Sequence, residues 1–332
     1  MILISSCTSN GNRKVARGIY YWKTDFHLNG DEINWIKENN IIKIYVRFFD
    51  VDWNPNVKQA VPISEITLSS RPPYDVQIIP TVFMTNRTLI NIDDSLISNL
   101  AKNIFNKISY KWKDYILPLK EIQMDCDWSA GTQDKYFHLI NKLNELCNPG
   151  ILVTSTIRLH QVKYFKREGI PPIKRGTLMF YNMSDVSDIR TRNSIYDEDI
   201  ARRYLVNFDK YPIPLDVVLP AFSWGVLFKN KKLSNLINDV AQKELTENDN
   251  YKSLGSEYYE AKRNNFFHGF FIGEKNIIRL EKITPAETIA AAELISRYLK
   301  NDSIVVSIYN LNKGTTEKYG KEVWEDITSP FK

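Results

Sequence analysis

Gln123-Met124-Asp125-Cys126-Asp127-Trp128-Ser129 alternates polar with apolar residues throughout. In a β-strand successive side chains point to opposite faces, so Gln123, Asp125, Asp127 and Ser129 share one face. Met124, Cys126 and Trp128 share the other. A strand over Glu121–Asp127 with one apolar face and one carboxylate face suits a barrel. The apolar face covers the surrounding helices, and the carboxylates point inward toward the upper end. Two like charges about 6–7 Å apart, from about 3.3 Å of rise per residue, are costly to bury. Such burial is expected to push their pKa values apart, which is how a glycosidase obtains an acid and a base in one site.

Short apolar, β-branched or aromatic runs recur on either side of this stretch, separated by helical patterns, which argues for a parallel sheet with crossover helices. Eight core strands are expected: Gly18–Lys23, Ile42–Phe48, Val76–Phe83, Glu121–Asp127, Ile151–Ile157, Thr177–Tyr181, Leu215–Phe222 and Ser303–Tyr309. Eight in order over 332 residues predict an α/β fold, a closed (β/α)8 TIM barrel. Helices are expected at Asp31–Asn39, Ser95–Ile108 and Thr132–Leu146, each with apolar residues at helical intervals. Thr284-Pro285-Ala286-Glu287 reads as a capping box opening a helix over Ala286–Leu299. Strands seven and eight are too far apart for an ordinary crossover. Residues 225–285 are therefore an expected α+β insertion, too small for a core of its own. In it, Phe266–Ile272 and Asn276–Ile283 flank Gly273-Glu274-Lys275 as a hairpin.

Composition narrows the function. The net charge is +5, from 44 basic and 39 acidic residues, with no run of five Lys or Arg, so no nucleic-acid partner is expected. Lys229, Lys231, Lys232 and Lys243 read as the solvated face of a surface helix. No stretch of about 18 apolar residues predicts a membrane span. Three cysteines without metal-ligand spacing exclude a zinc framework, and Cys126 and Cys147 read as small buried apolar residues. Ile4-Ser5-Ser6-Cys7 resembles a bacterial lipobox, followed by a polar tether, Thr8-Ser9-Asn10-Gly11-Asn12. Only Met1-Ile2-Leu3 precedes the box, against the 7–15 apolar residues of a signal peptide. Either the true start lies upstream or the likeness is accidental; on the first alternative residues 1–12 are a lipoprotein signal remnant and tether, with residues 13–332 forming the barrel. Lipidation of Cys7 would place the protein at the bacterial cell envelope, in the periplasm or at the outer membrane. The lipid would be its only membrane contact.

Active sites of TIM barrels lie at the C-terminal ends of the strands. Polar and aromatic residues gather at those ends: Trp22, Arg47, Asp50, Trp53, Trp128, Arg158, His160, Tyr181, Asn182 and Trp224. Tryptophans here could floor a sugar site, since aromatic faces are apolar platforms. Rim packing explains each of them as well. Arg47, Arg158 or Lys23 could hold the aspartate pair as a purely structural network. Asp125, Asp127 and His160 could bind a divalent cation, but no second His or tight spacing supports it. No metal and no cofactor are expected. GxSxG, GxGxxG and the P-loop are absent.

Met124-Asp125-Cys126-Asp127-Trp128 resembles the strand-four motif DxxDxDxE of family 18 chitinase-like glycoside hydrolases. Met179-Phe180-Tyr181-Asn182 is similar to that family's strand-six Met-x-Tyr-Asp, and Val217-Val218-Leu219-Pro220 resembles its strand-seven segment. The insertion falls where many members carry a small α+β insert. The chain also looks like a group of bacterial TIM-barrel lipoproteins of unknown function. The resemblance maps Asp125 and Asp127 onto the motif's second and third Asp, and Tyr181 onto the Tyr that contacts substrate. It also maps the first Asp onto Ile122, the Asp after Tyr onto Asn182, and the general-acid Glu onto Ser129. A serine cannot protonate a leaving group near neutral pH. Either Asp127 or Asp125 acts as acid, or the barrel binds sugar without turning it over. The first alternative is a glycoside hydrolase-like enzyme, with Asp127 as acid and Asp125 as its electrostatic partner or base. Tyr181, Arg47 and Trp22 would position the sugar, Trp224 would serve as platform, and Asp50, Arg158, His160 and Gln123 would complete the site. The second is an inactive, surface-tethered carbohydrate-binding barrel. A third is a scaffold in an envelope complex, which would show an apolar patch away from the rim.

Overall fold

The computed structural model describes residues 13–70, 73, 75–113, 117–147 and 149–332. The lipobox and Cys7 lie outside the described residues. Eight parallel strands form the barrel, within a nine-stranded sheet whose extra strand, Gln59–Ile63, pairs antiparallel with the end of the second: β1 (Lys14–Tyr21), β2 (Ile41–Asn54), β3 (Gln77–Met84), β4 (Glu121–Cys126), β5 (Leu152–Arg158), β6 (Gly176–Met179), β7 (Leu215–Pro220) and β8 (Ser303–Tyr309). Each pairs with its neighbour in sequence, and β1 pairs with both β8 and β2, so the sheet closes into a (β/α)8 barrel.

Helices fill the outer layer where the apolar stripes predict them. Gly30–Glu38 opens on Asn29, whose side chain accepts from the Glu32 backbone N–H while Glu32 reaches back. Ile97–Trp112 buries Ile97, Leu100, Ala101, Ile104, Ile108 and Trp112. Gln133–Cys147 buries Tyr136, Leu139, Ile140, Leu143 and Cys147. Thr284 caps Pro285–Ser296 with Glu287 closing the box, as its sequence predicts. Cys126 and Cys147 are buried and free.

The lumen is packed, with polar residues in tiers. At the bottom, Glu121 accepts from Lys43 Nζ at 2.7 Å and from Thr154 Oγ1 at 3.0 Å. In the middle, Tyr20 donates to Gln123 Oε1 at 2.7 Å, and Gln123 Nε2 donates to Thr177 Oγ1 at 3.1 Å. Asp125 occupies the top tier. Gly18 makes room here: a Cβ would clash with Ser307 Oγ and come within 3.3 Å of the Tyr45 ring.

The insertion corrects three expectations. Its strands Ser223–Lys229, Lys232–Asn238, Tyr251–Gly255, Tyr258–Ala261 and Ile277–Lys282 form a five-stranded sheet. That sheet has its own buried cluster, including Leu227, Ile237, Tyr251, Tyr259, Ile278 and Leu280. Lys229, Lys231 and Lys232 lie on a β-hairpin, not a helix, because Asn230 and Lys231 turn the chain at φ of 50° and 61°. Phe266–Ile272 is itself a hairpin, Asn265–Phe267 against Phe270–Ile272, turning at His268 and Gly269 with φ of 47° and 80°. Ile277–Lys282 pairs instead with Ser223–Lys229 and Tyr258–Ala261. Among the described residues, no helix is long and apolar enough to cross a membrane.

Candidate active site at the barrel mouth

The inward face of β4 runs Glu121, Gln123 and Asp125, all buried. Asp125 accepts from Thr156 Oγ1 at 2.6 Å and from Arg158 Nη2 at 3.1 Å, both on β5. Burial works against the Arg158 charge, but the neighbouring carboxylates, Asp125 above all, outweigh it and hold the guanidinium firmly protonated. Arg158 Nε is buried with no hydrogen-bond partner. The strand ends at Cys126, one residue short of its expected end, so Asp127 stands on the rim with its side chain 57% exposed. Its carboxylate lies 3.5 Å from His160 Nε2. The expectation of two buried like charges thus holds for Asp125 only. Ser129 has left the strand and belongs to the rim loop, where its backbone N–H donates to Thr132 Oγ1 at 3.0 Å.

A second basic group faces the mouth from β2. A β-bulge between Arg47 and Phe49 shifts the alternation. Asp50, three residues on, thereby meets Arg47, accepting from its Nε at 2.7 Å. That hydrogen bond raises the Arg47 pKa further. The guanidinium lies over the Trp22 ring, 5.7 Å from its centroid, which is cation–π geometry.

Opposite the carboxylates, rings from four strand ends touch in series. Trp22 lies 5.9 Å from Tyr309, Tyr309 lies 5.5 Å from Tyr181, and Tyr181 meets Phe222 edge-on at 5.6 Å. Phe222 then meets Trp224 edge-on at 5.3 Å. Trp22, Phe222, Trp224 and Tyr309 are part-exposed, while Tyr181 is buried. Burial pushes the Tyr20 and Tyr181 hydroxyls well above the ordinary tyrosine value. Burial, followed by the Asp125 charge, does the same for Tyr309. These hydroxyls are therefore neutral donors. The Tyr309–Asn310 peptide is cis.

The structure brings Asp125, Arg158, Tyr181, Trp22, Arg47 and Asp50 around one mouth, with Asp127 and His160 on its edge and Trp224 at the end of the aromatic wall, while Gln123 lies below them in the lumen, bonded to Tyr20 and Thr177. Trp128 does not belong to it. It is fully buried, stacked on Tyr136 at 4.9 Å, and its Nε1 donates to the Glu168 carbonyl at 2.8 Å. The metal reading finds no support, since among the described residues no group of three His, Cys, Asp or Glu could hold an ion. The sequence reading missed Thr156, Phe222 and Tyr309 as site residues. Phe222 and Tyr309 are the last residues of the expected strands seven and eight, so position alone could have found them. It also missed Asp239, from the insertion, which accepts from Asn312 Nδ2 at 2.7 Å beside β8 and whose carboxyl is raised by loss of hydration.

No family model matches the sequence, and no curated protein matches it either. Solved structures do. The Bacillus cereus spore cortex-lytic enzyme SleL aligns with a TM-score of 0.55 and 12% identity, over 97% of this chain and 76% of that one. A chitinase from Chromobacterium violaceum aligns with a TM-score of 0.53 and 11% identity, over 96% of this chain and 98% of that one. A glycoside hydrolase family 18 N-acetylglucosaminidase from Paenibacillus barengoltzii aligns with a TM-score of 0.52 and 9% identity, over 96% and 100%. At such identities the likeness is one of fold. The chain has the (β/α)8 barrel fold of chitinase-like, family 18 glycoside hydrolase structures.

Proposed function

We propose that the protein is a glycoside hydrolase-like barrel that binds a carbohydrate at this mouth and cleaves it with Asp127 as general acid. The observation that carries the reading is the mouth's two-sided build. Buried Asp125 at the end of β4 and Asp127 on the rim face a continuous wall of Trp22, Tyr309, Tyr181, Phe222 and Trp224. Aromatic faces take the apolar faces of sugar rings, and a few fixed polar groups orient the hydroxyls.

Asp127 suits the acid role better than its motif position suggests. Shifted by two residues, which keeps every side chain on its face, Gln123, Asp125 and Asp127 take the places of the motif's last two Asp and its Glu. Burial supports that register. Gln123 and Asp125 are enclosed, and the carboxylate that can meet a leaving group stands at the mouth. Asp125, held by Thr156 and Arg158, is then the electrostatic partner.

The second reading, a barrel that binds glycan without turnover, draws on the same residue. Asp127 stands mostly hydrated, with His160 Nε2 3.5 Å from its carboxylate. The relatives in fold are named as chitinases, an N-acetylglucosaminidase and a spore cortex-lytic enzyme. Chitin oligosaccharides and peptidoglycan fragments are therefore the first ligands to test. Binding with product formation supports the enzyme, and binding without products supports the second reading. No binding by any glycan on a broad array removes both.

A further inference from the structure

Trp224 and Glu281 sit directly opposite each other in the insertion's sheet. Glu281 is 1% exposed and Arg279 is 0% exposed, so this ion pair is out of water. Its hydrogen bonds join three parts of the molecule. Glu281 Oε1 accepts from Arg279 Nε at 2.7 Å. Glu281 Oε2 accepts from Trp224 Nε1 at 2.7 Å and from Ser194 Oγ at 2.6 Å. Arg279 in turn donates to the carbonyls of Asp188 at 2.8 Å and Val186 at 3.0 Å. Those carbonyls and Ser194 belong to the segment between β6 and Glu198–Tyr204. Asn193 Nδ2 and Tyr258 OH add bonds between that segment and the insertion, to the Lys282 and Ile189 carbonyls.

A buried ion pair is a poor source of stability, because desolvating both charges offsets most of their attraction. What it does supply is a fixed geometry. A tryptophan at a rim, with its ring half in water, has several rotamers open to it. A charge-assisted hydrogen bond on its Nε1 selects one, and an aromatic anchor held beforehand loses less entropy when a ligand arrives.

Building on the carbohydrate reading of the mouth, we propose that Glu281 is a positioning residue: it holds the Trp224 ring at the end of the aromatic wall as a sugar-stacking platform and ties that platform to the segment following β6. The insertion thereby sets the far subsite of the mouth, while the β4 carboxylates stay untouched.

The test replaces the pair by apolar residues of similar size, Arg279→Met with Glu281→Leu, so that no charge is left orphaned. Trp224 is read by the fluorescence difference between each protein and its Trp224→Phe counterpart, with acrylamide quenching. Affinity and kinetics are read with chitin hexasaccharide. The expected result is a more quenchable Trp224 and an affinity or KM weakened about tenfold, on the order of one lost aromatic platform, with kcat unchanged. The pair replacement should add nothing when Trp224→Ala is already present. Ser194→Ala, which keeps the ion pair, should give a smaller change in the same direction and serves if the double variant does not fold. An unchanged Trp224 signal would overturn the positioning role. A freed ring with unchanged glycan affinity would overturn the platform role. If the wild-type protein binds neither the hexasaccharide nor any other glycan on the array, the carbohydrate reading fails, and the fluorescence arm still decides whether Glu281 holds the ring.

Discussion

At the scale of single residues, the mouth is organised around Asp125. Thr156 and Arg158 satisfy it, and Arg158 Nε is buried without a partner. Arg158→Met should therefore leave a buried carboxylate without its cation. Breaking buried pairs costs about 3–5 kcal/mol; with the Arg158 side chain 21% exposed, the lower end, about 3 kcal/mol, is expected. Urea unfolding checks this, and a loss below about 1 kcal/mol, the level of an exposed pair, would show that water already screens the pair. The alternation of residues 123–129 made the inward face of Gln123 and Asp125 legible. The exposure of Asp127 was not, because it turns on the strand stopping at Cys126. Trp128 shows the same limit: a tryptophan beside the motif reads equally as platform or core, and only its stacking on Tyr136 decides.

At the scale of elements, local signals carried the barrel. The eight strands and the main crossover helices follow from periodicity, and the helix Pro285–Ser296 from its cap. Thr284→Ala removes the hydroxyl that accepts the Glu287 backbone N–H and contacts the Glu287 carboxylate, so a loss of about 1 kcal/mol is expected, with Thr284→Ser close to wild type by thermal melting. The insertion was not legible in the same way. Its turns at Asn230-Lys231 and His268-Gly269 need positive φ at both positions, a requirement that Gly269 and, less strongly, Asn230 advertise in sequence but Lys231 does not. Its central strand Ile277–Lys282 finds partners more than forty-five residues away on one side, in Ser223–Lys229. Such pairing is set by tertiary packing, which short-range patterns do not encode.

At the scale of the whole molecule, the barrel joins a polar lumen to a mouth walled by aromatics. The lumen carries an alkaline liability. Burial keeps Tyr20, Tyr45, Tyr136 and Tyr181 protonated well above the ordinary tyrosine value, whereas the unfolded chain releases these protons near pH 10. The folded state therefore binds more protons above that pH. The stability these groups contribute is complete below about pH 10 and is lost as pH rises beyond it. Melting temperatures from pH 8 to 11.5 should hold steady and then fall, and the tyrosinate absorbance of these four buried residues should appear only as the protein unfolds. Asp127 is proposed to do acid chemistry on a glycan held at the mouth. The most direct test is Asp127→Asn, with product formation and affinity measured on one chitin oligosaccharide. The account predicts turnover reduced by at least about a hundredfold, the usual scale for a positioned proton donor, with affinity within a few-fold of wild type. Unchanged turnover in Asp127→Asn would contradict it.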